Sequence, residues 1–219
     1  MPRLLFEKTG NAVWISHLDL MRLFQRAFKR AGLPLTHTQG FNPRPSVSIA
    51  LPLSVGVESR CELLDFELDG AGVSCDEIRL RLNNALVAGV RVLDVYKEGQ
   101  KIRHLAYLEC DVVLEYDRGV PDHAAQCIQD LFRKDEILVE KKGKNGLTVQ
   151  NISPMILNLS VAEENAQSLR IHASVCCQNP TLNPMQLVAA IEKYLPDCRA
   201  DFAKCCRLEI YDTQEKVFR

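Results

Sequence analysis

The chain has 219 residues, of which 47% are hydrophobic and 25% charged, an ordinary globular composition that excludes an intrinsically disordered protein. The length allows one large domain or two of about 100 residues each. The 27 basic and 28 acidic side chains nearly cancel, which excludes a histone-like or acidic-tail protein. No apolar run is long enough for a membrane helix and no secretory signal opens the sequence, so we expect a cytoplasmic protein without membrane contacts.

Apolar spacing predicts a complete α+β unit in the first hundred residues. Residues 3–8 alternate like a strand. Ser16 is the predicted cap of an amphipathic helix that Gly32 and Pro34 terminate. The same capping pattern at Ser74 predicts a second helix. The remaining predicted strands cover residues 47–51, 64–68 and 91–96.

The same order of elements recurs in the second half of the chain. Helices are predicted at residues 121–133 and after Asn183. The predicted strands cover residues 108–116, 137–142, 156–161, 169–175 and 207–211. We therefore expect an α+β protein of two tandem ferredoxin-like (split β-α-β) halves with antiparallel sheets, residues 1–103 and 104–219. The segment 137–142 is one strand more than that arrangement needs.

Nine cysteines occur without any C-x-x-C spacing. The common zinc and iron–sulfur motifs need spaced thiolates that converge on one metal, so their signatures are missing. We expect free thiols in a reducing cytosol, most of them small buried hydrophobes, with no metal, cofactor or structural disulfide.

Basic side chains are concentrated on one side of the first predicted helix. No acidic residue occurs between residues 19 and 58. Such a stripe could follow a phosphate backbone, although the usual explanation is the solvated face of an amphipathic helix. Its members are Arg22, Arg26, Lys29 and Arg30.

Residues 39–46, here called the proline loop, contain a glycine and two prolines, which stiffen a short polar segment. The loop carries Phe41, Asn42 and Arg44. An aromatic ring beside a guanidinium suits base stacking and phosphate pairing in RNA. The favoured interpretation is nevertheless a plain connection, with Phe41 packed under the sheet and Arg44 in solvent.

Two histidines flank the basic helix and the loop. His17 lies in the first turn of the helix and His37 just before the proline loop. Together they could form a general acid–base pair for RNA cleavage or part of a metal site. No third ligand of matching spacing occurs, so we do not expect catalysis. The other three histidines have no clustered partners in the sequence.

The first 68 residues contain several short motifs in a fixed order: FEKTG at 6–10, ISHLDLMR at 15–22, RAGLP at 30–34, QGFNP at 39–43, ALPL at 50–53 and GVES at 56–59. Together they resemble one bacterial family, the radical-SAM-linked proteins, a domain of undefined function found beside or fused to a B12-binding-type radical SAM protein. The resemblance implies a cytoplasmic protein that works with that enzyme, and it supplies no catalytic residues. The chain lacks the C-x-x-x-C-x-x-C cluster motif of the radical enzyme itself.

Three functions are compatible with these observations. The first is a non-catalytic accessory module that binds RNA, either tRNA or rRNA, and presents it to the radical SAM partner. The second is a protein-docking subunit of that partner, with the proline loop as the docking surface and no nucleic acid involved. The third is a metal-independent ribonuclease that uses His17 and His37.

Overall fold

The computed structural model describes residues 1–70, 72–143 and 146–219. Within them the chain is an α+β protein with four α-helices and mostly antiparallel strands. Contacts divide it into two compact units. The first contains Met1–His104 together with Phe218–Arg219, and the second contains Leu105–Val217.

The first unit is a four-stranded antiparallel arrangement with two helices. Its elements are β1 (Arg3–Lys8), α1 (His17–Arg30), β2 (Val47–Ile49), β3 (Val57–Phe66), α2 (Cys75–Ala85) and β4 (Val90–Tyr96). Strand β1 pairs with both β3 and β4, and β2 pairs with β3. Helix α1 follows β1, and α2 connects β3 to β4.

Helix α1 begins and ends as its sequence predicts. The Ser16 hydroxyl accepts a hydrogen bond from the amide of Asp19, which satisfies one of the unpaired donors of the first turn. At the other end Gly32 has a φ of +67°, the left-handed conformation that glycine adopts without strain. The amide of Leu33 then bonds to the carbonyl of Phe28. This turn directs the chain away from the helix toward the proline loop.

Aromatic packing holds α1 on the sheet of the first unit. The rings of Phe6 and Phe24 meet edge to face at 4.7 Å between centroids, and those of Phe28 and Phe66 lie 5.1 Å apart. All four side chains are fully buried. Truncation of a buried phenylalanine costs about 3–5 kcal/mol, so this cluster determines which face of α1 points outward.

The second unit repeats the order of strands and helices and adds a hairpin. Its elements are β5 (Leu105–Glu115), α3 (Ala124–Leu131), β6 (Leu138–Gly143), β7 (Gly146–Asn151), β8 (Ile156–Asn165), β9 (Ser168–Cys176), α4 (Met185–Tyr194) and β10 (Phe202–Asp212). The strands of its sheet lie in the order β10-β5-β9-β8, and each neighbouring pair is antiparallel. The extra strand that the sequence predicts at 137–142 is one arm of the separate β6–β7 hairpin, inserted between α3 and β8.

A buried ion pair joins β1 to β3, and the same guanidinium contacts a C-terminal residue of the first unit. Arg3 is 2% exposed and donates to both carboxylate oxygens of Asp65, at 2.6 and 3.0 Å. Its guanidinium lies over the ring of Phe218, 5.1 Å from the centroid. A Cβ on Gly99 would lie 2.5 Å from the Arg3 Cζ, so only glycine leaves room for this stacking.

We expect Asp65→Ala to lower the free energy of unfolding by about 3 kcal/mol, because it leaves the buried Arg3 charge without its partner. The double variant Arg3→Met/Asp65→Leu removes both charges together and should regain most of that loss. Urea unfolding followed by circular dichroism measures both. A double variant as unstable as the single one would contradict this account of the pair.

Candidate nucleic-acid interface

Helix α1 exposes the basic stripe that its sequence predicts. Leu20, Phe24, Ala27 and Phe28 are buried, so the opposite side of the helix faces solvent. Arg22, Arg26 and Lys29 are all exposed on that side and follow one another at helical spacing. Among the residues that the structure describes, no carboxylate lies within ion-pair distance of Arg26 or Lys29. These two cations remain available to a ligand.

Arg22 differs from the other two because it already has a carboxylate partner. Its guanidinium donates to Asp19 at 3.0 Å across one helical turn. The Ser16 hydroxyl bonds to the same carboxyl at 2.7 Å. The hydroxyl first, and then the guanidinium, lower the pKa of Asp19. Both partners are exposed, so a phosphate could compete for Arg22 only by displacing a local acid.

Arg30 has a structural role inside the first unit. Its guanidinium donates to the backbone carbonyl of Ala85, the last residue of α2, at 2.7 Å. This bond satisfies one of the unpaired carbonyls at the end of that helix and ties α1 to α2. The four basic residues of the helix therefore differ in role, although their sequence pattern treats them alike.

The proline loop is the tip of a short two-stranded ribbon. The amide of Thr38 bonds to the carbonyl of Arg44 at 2.8 Å, and the amide of Ser46 bonds to the carbonyl of Thr36 at 2.8 Å. The base of the ribbon is tied to the residue after β3, since Glu67 exchanges backbone hydrogen bonds with Thr36 and Ser46. Together with the two prolines, these bonds fix the direction in which the tip points.

The tip presents its side chains to solvent. Phe41 has a relative exposure of 107%, and Asn42 and Arg44 are also exposed. The favoured expectation that Phe41 packs under the sheet is therefore wrong. The ribbon hydrogen bonds carry the tip beyond the reach of the apolar core, and the ring of Phe41 adds nothing to the packing.

A cavity of about 410 Å³ lies between the C-terminal half of α1 and the base of the ribbon. We call it the α1 cavity. Lys29 contributes to its wall from the helix, and His37 and Pro45 contribute from the ribbon. Most of the remaining wall is apolar and includes Phe28 and Leu33. The cavity thus brings one end of the basic stripe next to the proline loop.

Two carboxylates border this region in space although none does in the sequence. Glu67 accepts a hydrogen bond from the Thr36 hydroxyl at 3.0 Å. The amide of Asp69 bonds to the carbonyl of Pro34. Both acids follow β3 and are exposed. The acid-free segment therefore has a positive surface along α1. On the side near β3, the carboxylates of Glu67 and Asp69 partly compensate its positive charge.

His17 and His37 lie at opposite ends of α1. His17 opens the helix, whose 14 residues span about 20 Å. His37 borders the α1 cavity beyond the other end of that helix. An acid–base pair must reach one phosphodiester together, and the structure does not bring these two imidazoles together.

The sequence analysis missed a charged network in the second unit. His172 on β9 lies between two carboxylates of β5, with Nδ1 2.8 Å from Asp111 and Nε2 2.9 Å from Glu109. Arg170 bonds to Asp111, and the Tyr211 hydroxyl donates to Glu109 at 2.8 Å. Both ring nitrogens of His172 thus already face carboxylates of the neighbouring strand. The network becomes apparent only from the pairing of β5 with β9, which places His172 opposite Asp111.

Metal ligands, thiols and apolar helices are the other features of the described residues that bear on function. Among the described residues, no group of three or more His, Cys, Asp or Glu side chains is placed to hold a metal ion. All nine cysteines are free thiols, and burial raises the pKa of Cys177 and Cys205 to about 12, which keeps both in the unreactive neutral form. In the part of the chain that is described, no helix is long and apolar enough to span a bilayer.

The fold and the site define an α+β protein with an exposed basic helix face beside a stiff aromatic loop. By sequence, the chain belongs to the family described as "Uncharacterized protein conserved in bacteria (DUF2344)", which matches residues 2–184. None of the curated proteins matches it.

Two solved structures are similar in fold. A chain in the crystal structure of a Cbf5-Nop10-Gar1 complex matches with a TM-score of 0.54 at 11% identity, over 95% of this chain and 48% of that chain. The archaeal box H/ACA sRNP Nop10-Cbf5 complex gives a TM-score of 0.49 at 10% identity, over 94% and 46% of the two chains. The protein thus spans about half the length of these two chains, and at these identities the likeness concerns the fold alone.

Proposed function

We propose that the protein is a non-catalytic accessory module that binds single-stranded RNA, of a tRNA or an rRNA, and presents it to a radical SAM enzyme with a B12-binding-type domain. The observation that carries the RNA part is the adjacency of two exposed features across the α1 cavity. Lys29 of the basic stripe lies on one side, and the ribbon that carries Phe41 and Arg44 lies on the other. The radical SAM part rests on the motif resemblance of the first 68 residues.

In this proposal the phosphate contacts come from Arg26, Lys29 and Arg44. All three are exposed, and none has a carboxylate within ion-pair distance among the described residues. Phe41 supplies a stacking surface, because an aromatic ring accepts any base and loses no packing of its own. Asn42 adds a donor and an acceptor beside that ring. Arg22 makes a weaker contact since Asp19 competes for it.

We also infer that both units are ferredoxin-like split β-α-β domains, divided near residues 103 and 104. The strand orders β4-β1-β3-β2 and β10-β5-β9-β8, all antiparallel, support this inference. In each unit one helix connects the first strand toward the second and another connects the third to the fourth. The first domain carries the family motifs and the proposed RNA surface.

We expect the variant Arg26→Ala/Lys29→Ala/Arg44→Ala to bind a single-stranded RNA more weakly and with a flatter salt dependence. Each phosphate contact that is lost releases one counterion fewer, so the slope of log K against log salt should fall by about two units. Filter binding at several salt concentrations measures both. The matched control Lys97→Ala/Lys101→Ala/Arg118→Ala removes three exposed cations elsewhere and should leave the slope unchanged.

Phe41→Ala should act differently in the same assay. The loss of one stacked base costs about 1–3 kcal/mol of binding free energy and leaves the salt slope unchanged, because no charge is removed. The melting temperature should also stay the same, since the ring is fully exposed.

The triple variant Arg26→Ala/Lys29→Ala/Arg44→Ala decides whether RNA binds here. Equal affinity and an equal salt slope for it and the wild type would refute RNA binding at this surface.

A second observation favours protein docking at the other end of α1. Trp14, Leu18 and Val55 are 66%, 67% and 53% exposed, which is unusual for such large apolar side chains. Trp14 and Val55 lie on one surface, because the Gly56 amide bonds to the Val13 carbonyl and the Trp14 ring lies 3.6 Å from where a Cβ on Gly56 would stand. Leu18 follows Trp14 by four residues, in the first turn of α1. RNA at the α1 cavity would leave this patch accessible.

We expect Trp14→Ser/Leu18→Ser to abolish co-purification with the co-expressed radical SAM protein and to leave RNA affinity unchanged. Aromatic anchors dominate interface energy, so the loss of Trp14 should weaken the complex most. Leu80→Ser is the control, since Leu80 is equally exposed on α2 but lies outside the patch. A complex that survives the double variant as well as it survives Leu80→Ser would exclude docking here.

A further inference from the structure

The α1 cavity has an unusual combination of walls and rim. Its walls are largely apolar, while three polar side chains, Gln25, Lys29 and His37, border it. Its volume of about 410 Å³ falls at the small end of the range for small-molecule sites. Apolar walls with a few polar groups are the usual composition of such sites.

The polar rim has unused hydrogen-bonding capacity. Within residues 1–70, 72–143 and 146–219, the Gln25 amide and the His37 ring have no hydrogen-bond partner in the protein. The amide offers donors and an acceptor, and the imidazole offers one of each when neutral. Lys29 adds a cation at the same rim. A ligand that enters the cavity therefore meets both hydrogen-bonding groups and a positive charge.

We propose, resting on the RNA-binding function above, that the α1 cavity takes one unstacked nucleobase of the bound strand. The flat faces of the base pack on the apolar walls, and its hydrogen-bonding edge meets Gln25 and His37. Lys29 pairs with the adjoining phosphate, and Phe41 stacks on a second base at the loop tip. Single-stranded RNA is recognised in this way because its bases are free to leave the stack.

Hydrogen-bonding capacity and charge at the rim together favour a base over a protein side chain. An aromatic side chain of a partner protein would fit the same apolar walls but would leave Gln25 and His37 without partners. It would also bring no anion for Lys29 and Arg26. A nucleotide satisfies the walls, the amide, the imidazole and the cations together, which favours RNA as the occupant.

The test compares a 12-nucleotide oligoadenylate with a 12-mer of abasic phosphodiester units. Gln25→Phe fills the cavity without changing charge. Asn84→Phe, on the exposed side of α2, controls for a new surface aromatic. The affinity of each strand is measured for the wild-type protein, for Phe41→Ala and for each of the variants Gln25→Phe and Asn84→Phe.

We expect the Phe41→Ala protein still to prefer the oligoadenylate over the abasic strand by about tenfold, because the cavity base remains bound. Gln25→Phe should weaken oligoadenylate binding by about the same factor, with the salt slope and the abasic affinity unchanged. Asn84→Phe should behave like the wild type. Should Gln25→Phe fail to fold, His37→Ala replaces it, since that side chain is exposed, and it should reduce the preference several-fold.

Two results separate failure of this inference from failure of the RNA function. In the first, Gln25→Phe has the wild-type affinity for oligoadenylate while the variant Arg26→Ala/Lys29→Ala/Arg44→Ala has a reduced affinity. This result refutes the base site and leaves phosphate binding intact. If neither variant changes affinity, the RNA function itself fails. If Gln25→Phe instead breaks the complex with the radical SAM protein, the cavity holds a protein side chain and the inference is overturned.

Discussion

The packing of α1 on the sheet of the first unit determines the rest of the candidate site. Phe24 and Phe28 are fully buried against Phe6 and Phe66, and each of these rings is worth several kcal/mol. A helix with one apolar face has no freedom to rotate once that face is covered. The basic stripe must therefore point to solvent, and the turn at Gly32 must start the ribbon beside it.

The same fold gives different roles to side chains of one chemical type. Arg3 is buried and bound to Asp65, where its charge is part of the core and not of any surface. Arg30 holds the end of α2. Arg26 and Arg44 remain exposed and have no acid within ion-pair distance in the part of the chain that is described. A count of basic residues thus overstates the positive surface, and the geometry identifies which cations a phosphate can reach.

Local features could be predicted from the sequence because their causes are local. The Ser16 cap and the buried face of α1 depend on residues within one or two turns, and both are present as predicted. The position of Phe41 depends on hydrogen bonds between the ribbon and the residue after β3, which no periodicity contains. For the same reason the sequence did not reveal Glu67 beside Thr36.

Strand register explains the other omissions. His172 meets Glu109 and Asp111 only because β9 pairs with β5 in one particular register, and a shift by one residue would turn its side chain to the other face. The exposed patch around Trp14 likewise depends on the approach of Gly56, more than 40 positions along the chain. Contacts between distant segments of this kind leave no mark in a single sequence.

The central claim is that RNA lies across the α1 cavity against the proline loop. Ultraviolet cross-linking of the wild-type protein to a single-stranded oligouridylate, followed by trypsin digestion and mass spectrometry, tests it most directly. The account predicts that the cross-linked nucleotide is on the peptide of residues 31–60, at Phe41 or His37, since Pro45 blocks cleavage after Arg44. Cross-links confined to peptides of the second unit, or none above the level of a non-binding protein, would contradict it.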